Sequence, residues 1–296
     1  MRRRTPVLVT WALVAAGALA LPAASGAADA VYGGHLGASD DPIVVTANAG
    51  TERLKSTVVA FTTTCTGGDA SRRVFHDAVG VVTARKGVSR PGVWEMSRNA
   101  GGRFTGTYTR PIEMGADRMV LTMTISGRLT RDAASGTLSA ESVLASSAPV
   151  ASPAPAGVQV LERCRTGTLR WATVHRPGVV FGGRTAQGEP FVAQVSTSRR
   201  RVDELHIGWH AECLPGGGVD FPETFERFTL TSTGRFSDTF TQRYENSSGS
   251  GDNVYDYAIS GRMGRRAASG TFSAKVTYPD GTVCGTASQR WSAAST

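Results

Sequence analysis

Apolar and polar residues alternate with a period of two over much of the chain, which is typical of β-strands that bury one face. In the clearest run the apolar face carries Leu205, Ile207, Trp209, Ala211 and Cys213. Similar runs cover Thr57 to Cys65, Met119 to Ile125 and Asn253 to Ile259. A helical period is nearly absent, and Glu223 to Phe228 is the best short candidate for a helix. The pattern therefore predicts an all-β fold of antiparallel sandwiches or barrel-like sheets.

A block of sixteen residues occurs twice in the chain. Residues 125–140, ISGRLTRDAASGTLSA, and residues 259–274, ISGRMGRRAASGTFSA, are identical at twelve positions. Tyr32-Gly33-Gly34 and Phe181-Gly182-Gly183 extend the match at the head of each copy, and a Cys seven residues before a Trp ends each one. Self-similarity over units of this size predicts an internal duplication into two tandem β-domains, at residues 31–176 and 177–296.

The two copies differ mainly by two insertions in copy one. In copy one, 36 residues separate Cys65 from Gly102, whereas 20 residues separate Cys213 from Gly234 in copy two. Copy one also contains an Ala/Ser/Pro-rich stretch from Leu144 to Gly157, a composition that predicts a long loop.

The first thirty residues have the organisation of a secretory signal peptide. A basic start up to Arg4 precedes an apolar run from Val7 to Leu21, and Ala28-Asp29-Ala30 forms an A-x-A cleavage pattern. The apolar run is short for a membrane anchor, which is the alternative interpretation. We therefore expect residues 1–30 to be removed and the remainder to be secreted, with no membrane span in the mature chain.

Four cysteines follow the predicted cleavage site, two in each copy at equivalent positions. An even number of cysteines in an oxidising compartment indicates disulfide bonds. Three pairings are open to four cysteines, and the duplication selects Cys65–Cys164 with Cys213–Cys284. Each bond would close a loop of about 70 to 100 residues, which is worth roughly 4 kcal/mol in the chain-entropy description.

The net charge of +8 over 296 residues comes almost entirely from arginine. Arg199-Arg200-Arg201 is the densest basic cluster, and it lies between two predicted strands, where a solvated hairpin turn is the simplest interpretation. A nucleic-acid-binding protein would show a basic stripe interleaved with aromatic residues, which this sequence lacks. Nucleic acid is therefore not an expected partner.

One strand carries the best candidates for metal ligands, His206, His210 and Glu212, on its polar face. At about 3.3 Å per residue, His206 and His210 lie roughly 13 Å apart, too far to bind one ion. His210 and Glu212 could supply two ligands, but zinc requires three or four. We expect a solvated strand face, with no metal and no cofactor.

Candidate catalytic residues are few. No G-x-S-x-G nucleophile motif occurs, and the repeated Ser135 and Ser269 have no repeated His or acid near them in sequence. Glu223, Glu226 and Glu245 are acids that a glycosidase could use, but none has an obvious counterpart in copy one. We therefore assign no catalytic residue. The less constrained aromatic residues, which could instead form a sugar-stacking platform, are Trp94, Tyr108, Tyr244 and Tyr278.

The opening of copy two resembles a type of uncharacterised secreted bacterial β-domain. The matching pattern is G-x-T-x-Q-G-x-P, a later strand that ends in Cys, an A-x-G-T strand and a C…W ending. It falls on Gly183, Thr185, Gln187, Gly188, Pro190, Cys213, Ala268, Gly270, Thr271, Cys284 and Trp291. Copy one keeps Pro42 but has Ser39-Asp40 where Gln-Gly would stand. The resemblance implies the fold and export, and no particular activity.

These observations predict a secreted two-domain β protein. Because the copies share scaffold residues and no reactive ones, a non-catalytic binding or structural module at or outside the cell envelope is the leading interpretation. An envelope glycan or a protein is the expected kind of partner. The alternative is a secreted hydrolase of polysaccharide or envelope polymer, with its site in copy two or at the domain interface.

Overall fold

A computed structural model of the protein describes residues 29–37, 41–48, 53–67, 72–83, 93–98, 102–114, 117–146, 159–214, 217–245 and 251–295. All seventeen regular elements in these ranges are β-strands, which confirms the all-β prediction. The described chain has no helix long and apolar enough to cross a membrane. Residues 1–28 of the predicted signal peptide lie outside the described residues.

Nine strands form the first sheet. They are β1 (Ala30–Leu36), β2 (Asp41–Asn48), β3 (Arg53–Thr66), β4 (Arg72–Thr83), β5 (Val93–Arg98), β6 (Arg103–Met114), β7 (Asp117–Leu129), β8 (Ala133–Ser146) and β9 (Gln159–Val174). Each strand pairs with the next, and β1 and β3 both pair with β9, so the sheet closes into a barrel. The pairs are antiparallel except β4–β5, which is parallel.

Eight strands form the second sheet. They are β10 (Val180–Thr185), β11 (Pro190–Val195), β12 (Arg201–Leu214), β13 (Gly218–Thr229), β14 (Arg235–Glu245), β15 (Asp252–Met263), β16 (Ala267–Thr277) and β17 (Val283–Ala294). Their order is β13-β12-β11-β10-β17-β16-β15-β14, with β12 also paired to β17. The segment from Glu223 to Phe228 belongs to β13, so the helix expected there is wrong. Its backbone pairs with β12, and that ladder overrides the weak helical pattern.

The two sheets differ at one place in the strand order. In the first sheet β5 connects β4 to β6, whereas β13 and β14 of the second sheet are not hydrogen-bonded to each other. Strand β5 lies in the longer segment between Cys65 and Gly102. The insertion therefore supplies the strand that closes the first barrel, and its absence leaves a seam between β13 and β14.

Both disulfide bonds form as predicted. Cys65 is bonded to Cys164 and Cys213 to Cys284, and the described residues contain no free cysteine. Each bond joins residues that face each other across directly paired strands, β3 with β9 and β12 with β17. Each disulfide therefore ties an early strand to the last strand of its own sheet.

In each sheet a tryptophan packs against two opposed glycines of the repeated sixteen-residue block, and we call this pair of glycines the seat. Gly127 faces Gly136 across β7 and β8, and Gly261 faces Gly270 across β15 and β16. A Cβ atom on Gly127 would stand 2.6 Å from the indole of Trp171, and one on Gly261 would stand 2.3 Å from the indole of Trp291. The glycines are therefore required by close packing, and the block belongs to the scaffold.

The sheets contact each other through β1, β2, β10 and β11. Val31, Val44, Val58 and Val192 form a small buried cluster between them. A Cβ on Gly33 would stand 2.9 Å from Val192, and a Cβ on Gly182 would stand 2.7 Å from Val31. Gly33 and Gly182 occupy matching places in the two heads, so each sheet presents a glycine to the other sheet's valines.

Candidate functional site

Aromatic side chains dominate the inner face of the second sheet. Trp209 stacks on Phe221 with ring centroids 4.4 Å apart and meets Tyr257 and Phe272 edge-on. The first sheet encloses a more aliphatic core, in which Leu121, Met123 and Leu138 are fully buried. The interior of the second sheet is therefore the better candidate for a ligand site. Its aromatic members, buried or partly buried, are Phe181, Phe191, Trp209, Phe221, Phe225, Phe228, Phe236, Phe240, Tyr255, Tyr257, Phe272, Tyr278 and Trp291.

One end of this interior has an exposed apolar rim. Val219 and Tyr244 are 39% and 49% exposed, although both lie at inward-facing positions of their strands. Tyr244 meets Tyr255 edge-on at 5.4 Å, and Tyr278 packs beside the same core. We call this end of the second sheet, at the β12–β13, β14–β15 and β16–β17 tips, the mouth.

The seam between β13 and β14 is bridged by rings in place of a backbone ladder. Phe225 of β13 meets Phe240 of β14 at 5.3 Å, and Phe228 meets Phe236 at 5.2 Å. These contacts hold the strands together in the part away from the mouth. Because side-chain contacts are more easily rearranged than a hydrogen-bonded ladder, the seam is a natural place for the interior to open.

Glu223 is a largely buried acid on the inner face, between Phe221 and Phe225. It accepts a hydrogen bond of 2.7 Å from the hydroxyl of Tyr257 on β15. Burial raises the pKa of Glu223 from 4.5 to about 7, although the Tyr257 hydrogen bond acts in the opposite direction. The carboxyl group therefore changes charge near neutral pH inside an aromatic environment.

Buried polar atoms with no hydrogen-bond partner in the described protein occur in both sheets, among them Nε1 of Trp171 in the first and Oδ1 of Asn253 in the second. Two further side chains of this kind face the aromatic interior. They are the indole Nε1 of Trp209, which is fully buried, and both amide atoms of Gln289, which is 7% exposed. By contrast, Nε1 of Trp291 donates to the carbonyl of Thr271 at 3.3 Å. Unpaired buried donors and acceptors cost about 1 to 3 kcal/mol each, so a partner that hydrogen-bonds to these atoms would gain binding energy from them.

The three candidate metal ligands on β12 do not converge. His206 is buried, with its Nδ1 2.9 Å from the Thr224 hydroxyl and its ring stacked on His35 of the first sheet at 5.8 Å. The solvated position expected for His206 is therefore wrong, because packing between the sheets covers this part of β12.

His210 lies between two carboxylates at its opposite ring nitrogens. Nδ1 is 2.7 Å from Asp220, and Nε2 is 3.4 Å from Glu212. Burial lowers the pKa of His210, but the hydrogen bond and charge of Asp220, helped by further carboxylates, outweigh it and raise the pKa above 6.5. Since the two acids sit on different sides of the ring, this arrangement stabilises an imidazolium and leaves no common point for an ion.

One group of potential ligand atoms does lie within metal-binding distance in the described chain, namely Cys65, Glu162 and Cys164. Both sulfur atoms belong to a disulfide bond and therefore cannot act as thiolate ligands. The group is a consequence of the bond and carries no metal site.

The Gln-Gly motif of copy two has a structural role at the tip of the β10–β11 hairpin. The side chain of Gln187 accepts from the amide of His210 at 3.1 Å and donates to the carbonyl of the same residue at 3.0 Å. In the first sheet Asp41 accepts from the amide of Thr62 at 2.8 Å. Thr62 is the equivalent of His210, so two different side chains satisfy the same backbone position.

The remaining candidates are dispersed. Glu226 and Glu245 are exposed, and Tyr108 is buried in the first core, so none of the three joins Glu223. The side chain of Trp94 lies outside the described residues. Tyr244 and Tyr278 do come together with Tyr255 at the mouth.

Strand register corrects the expectation that Glu223 has no counterpart in copy one. Asp77 faces Val59 as Glu223 faces Ile207, so an acid occupies this position in both copies.

Two of these inward polar groups have a signal in the sequence, and of the two only Glu223 is among the sequence-predicted candidates. Gln289 stands two residues before Trp291, where copy one has Leu169 before Trp171, so an amide replaces an aliphatic residue at an inward position. Glu223 interrupts the apolar alternation of Phe221 and Phe225. Trp209 gave no such signal, because sequence does not show whether an indole nitrogen has a partner.

Comparison with known proteins adds little. No known protein family and no curated protein matches the chain. A crystal structure at 2.00 Å resolution from Nitrosomonas europaea, described provisionally as AttH, is similar at 12% identity over 95% of this chain and 98% of that one, with a TM-score of 0.16. A TM-score this low supports no conclusion about fold or function.

Proposed function

We propose that the protein is a secreted binding module that holds a small, largely apolar ligand inside the second sheet. The observation that carries this proposal is the presence of buried polar atoms without protein partners, on Trp209 and Gln289, within an aromatic interior. A ligand with a polar group on an apolar body would satisfy those atoms and bury its remaining surface against the rings.

The entry route we propose is the mouth, with the adjoining seam between β13 and β14. Two of the four exposed large hydrophobic residues in the described chain, Val219 and Tyr244, lie at inward positions of the mouth, and a third, Leu214, is at the same end on the outer face. Exposed apolar side chains that continue into an apolar interior are typical of ligand entrances. The first sheet, which is closed by β5, would serve as a structural partner for the second.

Secretion and the two-domain division belong to the same proposal. Two disulfide bonds favour an oxidising compartment, in agreement with the signal pattern in residues 1–30. Strands β1–β9 end at Val174 and β10 begins at Val180, so the division proposed between residues 176 and 177 falls between the sheets. Expression with and without residues 1–30, followed by N-terminal sequencing of exported material, tests this part.

Ligand binding is testable with a neutral apolar fluorophore, N-phenyl-1-naphthylamine, titrated into the full chain. We expect saturable 1:1 binding, because the interior of one sheet is the site. The double substitution Val219→Asp with Tyr244→Asp should weaken binding at least tenfold, about 1.4 kcal/mol, since charges at the rim oppose entry of an apolar probe.

Val160→Asp is the matched control, because Val160 is 50% exposed but lies on the first sheet. It should leave the affinity unchanged. Absence of saturable binding, or an equal effect of the control, would contradict the proposal.

The alternative of a secreted hydrolase rests on Glu223, whose pKa near 7 suits a general acid. Turnover of a polysaccharide that is lost in Glu223→Gln would favour that alternative.

A further inference from the structure

The turns at the two ends of the second sheet carry mostly opposite charges. Acidic residues occupy the tips around the mouth, at Glu189, Glu212, Asp220, Glu245, Asp252 and Asp280. At the opposite end, the linker after β9 and the β11–β12, β13–β14 and β15–β16 turns come together. The exposed arginines there include Arg176, Arg200, Arg201, Arg262, Arg265 and Arg266. Arginine abundance alone does not explain this separation.

A groove of about 840 Å³ lies at the arginine-rich end. Three hairpin ends line it. The β11–β12 turn contributes Arg200, the end of β15 and the turn after it contribute Arg262 and Arg265, and the β13–β14 turn contributes Thr231, Ser232 and Thr233. Within the described chain these three arginines form no salt bridge, whereas Arg201 nearby is paired with Asp203. The groove therefore concentrates positive charge that the protein itself does not neutralise.

The walls of the groove are held in place by contacts between the turns. Arg199, in the left-handed conformation with φ of 55°, donates through its guanidinium group to the carbonyls of Gly178 and Gly264. The amide of Leu230 donates to the carbonyl of Arg200 at 2.7 Å, and that of Met263 to the carbonyl of Gly234 at 2.8 Å. The cluster does lie at a hairpin turn, and Arg200 and Arg201 are exposed there, whereas the side chain of Arg199 is half-buried because it holds two neighbouring turns together.

We propose that this groove binds a ligand carrying two or more phosphate groups. Guanidinium groups form paired, charge-assisted hydrogen bonds with tetrahedral oxyanions, and nearby hydroxyl groups donate to the remaining oxygens. Because Arg200 comes from the β11–β12 turn while Arg262 and Arg265 come from the end of β15 and the turn after it, a single small anion engages them less completely than linked phosphates do. The lining includes no aromatic residue for stacking bases, which argues against a single-stranded nucleic acid. This site is at the opposite end from the mouth and is independent of the proposed function.

The test is isothermal titration of the full chain with inorganic tripolyphosphate at low ionic strength. We expect 1:1 binding that weakens as salt is added, and orthophosphate should bind at least about tenfold more weakly. The triple substitution Arg200→Gln, Arg262→Gln and Arg265→Gln should abolish measurable binding. As a control, Arg243→Gln with Arg290→Gln removes two exposed arginines that do not line the groove, and it should leave the affinity unchanged.

Two further comparisons identify the source of the phosphate groups. Co-sedimentation with phosphatidylglycerol vesicles that the triple variant loses would assign the groove to lipid headgroups. Tripolyphosphate binding without vesicle binding would assign it to a soluble or polymeric phosphate. No tripolyphosphate binding, an equal loss in the control, or duplex DNA binding that survives in the triple variant would overturn the proposal. Circular dichroism of each variant separates lost binding from lost folding.

Discussion

Glu223 shows how much a single residue depends on its surroundings in this protein. Its carboxyl group lies among aromatic rings, next to the Tyr257 hydroxyl, and burial raises its pKa to about 7. The alternation of β13 identifies the inward position of Glu223, because Phe221 and Phe225 flank it. Its proton affinity is set by rings from other strands, so the sequence does not predict the pKa.

Glu223 should make the stability of the protein depend on pH. The folded state binds this proton more tightly than the unfolded chain, so the associated stability is complete below about pH 4.5 and is lost as pH rises through 7. A shift from 4.5 to about 7 corresponds to about 3 kcal/mol. The free energy of unfolding in urea falls for the native chain between pH 4.5 and pH 8. In the Glu223→Gln variant it should fall by about 3 kcal/mol less over the same range.

The comparison between native and variant proteins isolates Glu223 from other titrating groups. His210 also has a raised pKa, and it contributes stability that falls as pH rises, but both proteins share it. Glu226→Gln, an exposed neighbour on β13, is the control and should keep the native pH dependence. Parallel curves for the native and Glu223→Gln proteins would show that the buried acid does not titrate as described.

At the scale of elements, the hairpins of the repeated block explain why the sequence repeats. β7–β8 and β15–β16 each carry a directly opposed pair of glycines beneath a tryptophan from the last strand of the sheet. A cross-strand hydroxyl pair flanks each seat, Ser126 with Thr137 at 2.8 Å and Ser260 with Thr271 at 2.9 Å. The shared residues are therefore those that shape the scaffold, as expected from the absence of reactive groups among them.

Substitution of a seat glycine should destabilise the protein. Without a clash, glycine to alanine in a strand would stabilise by about 0.5 to 1 kcal/mol through lower chain entropy. In Gly261→Ala the new Cβ would stand 2.3 Å from Trp291, so overpacking should reverse the sign and cost about 1 to 3 kcal/mol. Gly127→Ala should behave similarly beside Trp171.

The measurement for this prediction is the free energy of unfolding in urea. Ser269→Ala serves as the control, since Ser269 is exposed on β16, and it should change the free energy of unfolding by less than about 0.5 kcal/mol. An increase in stability in either glycine variant would contradict the seat interpretation.

At the scale of the whole molecule, the two sheets pack through equivalent surfaces. The head glycines Gly33 and Gly182 each lie against valines of the other sheet, and the His35–His206 stack extends the contact. This surface uses residues on the outer faces of β1, β2, β10 and β11, which the alternation of each strand taken alone assigns to solvent. Valines at these outward positions were the signal in the sequence for a covered face.

Charges placed in this contact should separate the sheets. Val44 and Val192 are 3% and 4% exposed, so Val44→Asp with Val192→Asp would bury two unpaired carboxylates. We expect the radius of gyration in small-angle X-ray scattering to increase by several ångströms while the far-ultraviolet circular dichroism is retained. Val160→Asp should leave both signals unchanged, and an unchanged radius in the double variant would argue against this contact.

The sequence by itself determined three things. Local alternation of apolar and polar residues determined the strands, and comparison of the two copies determined the location of the insertion. The even number of cysteines and their equivalent positions determined both disulfide pairings. Tertiary structure decided which sheet closes, because closure depends on whether a strand from the insertion finds two neighbours. It also buried His206, directed the side chain of Arg199 to the carbonyls of two neighbouring turns, and brought Arg200, Arg262 and Arg265 together in one groove. These outcomes depend on which turns and faces meet, and strands far apart in sequence bring them together.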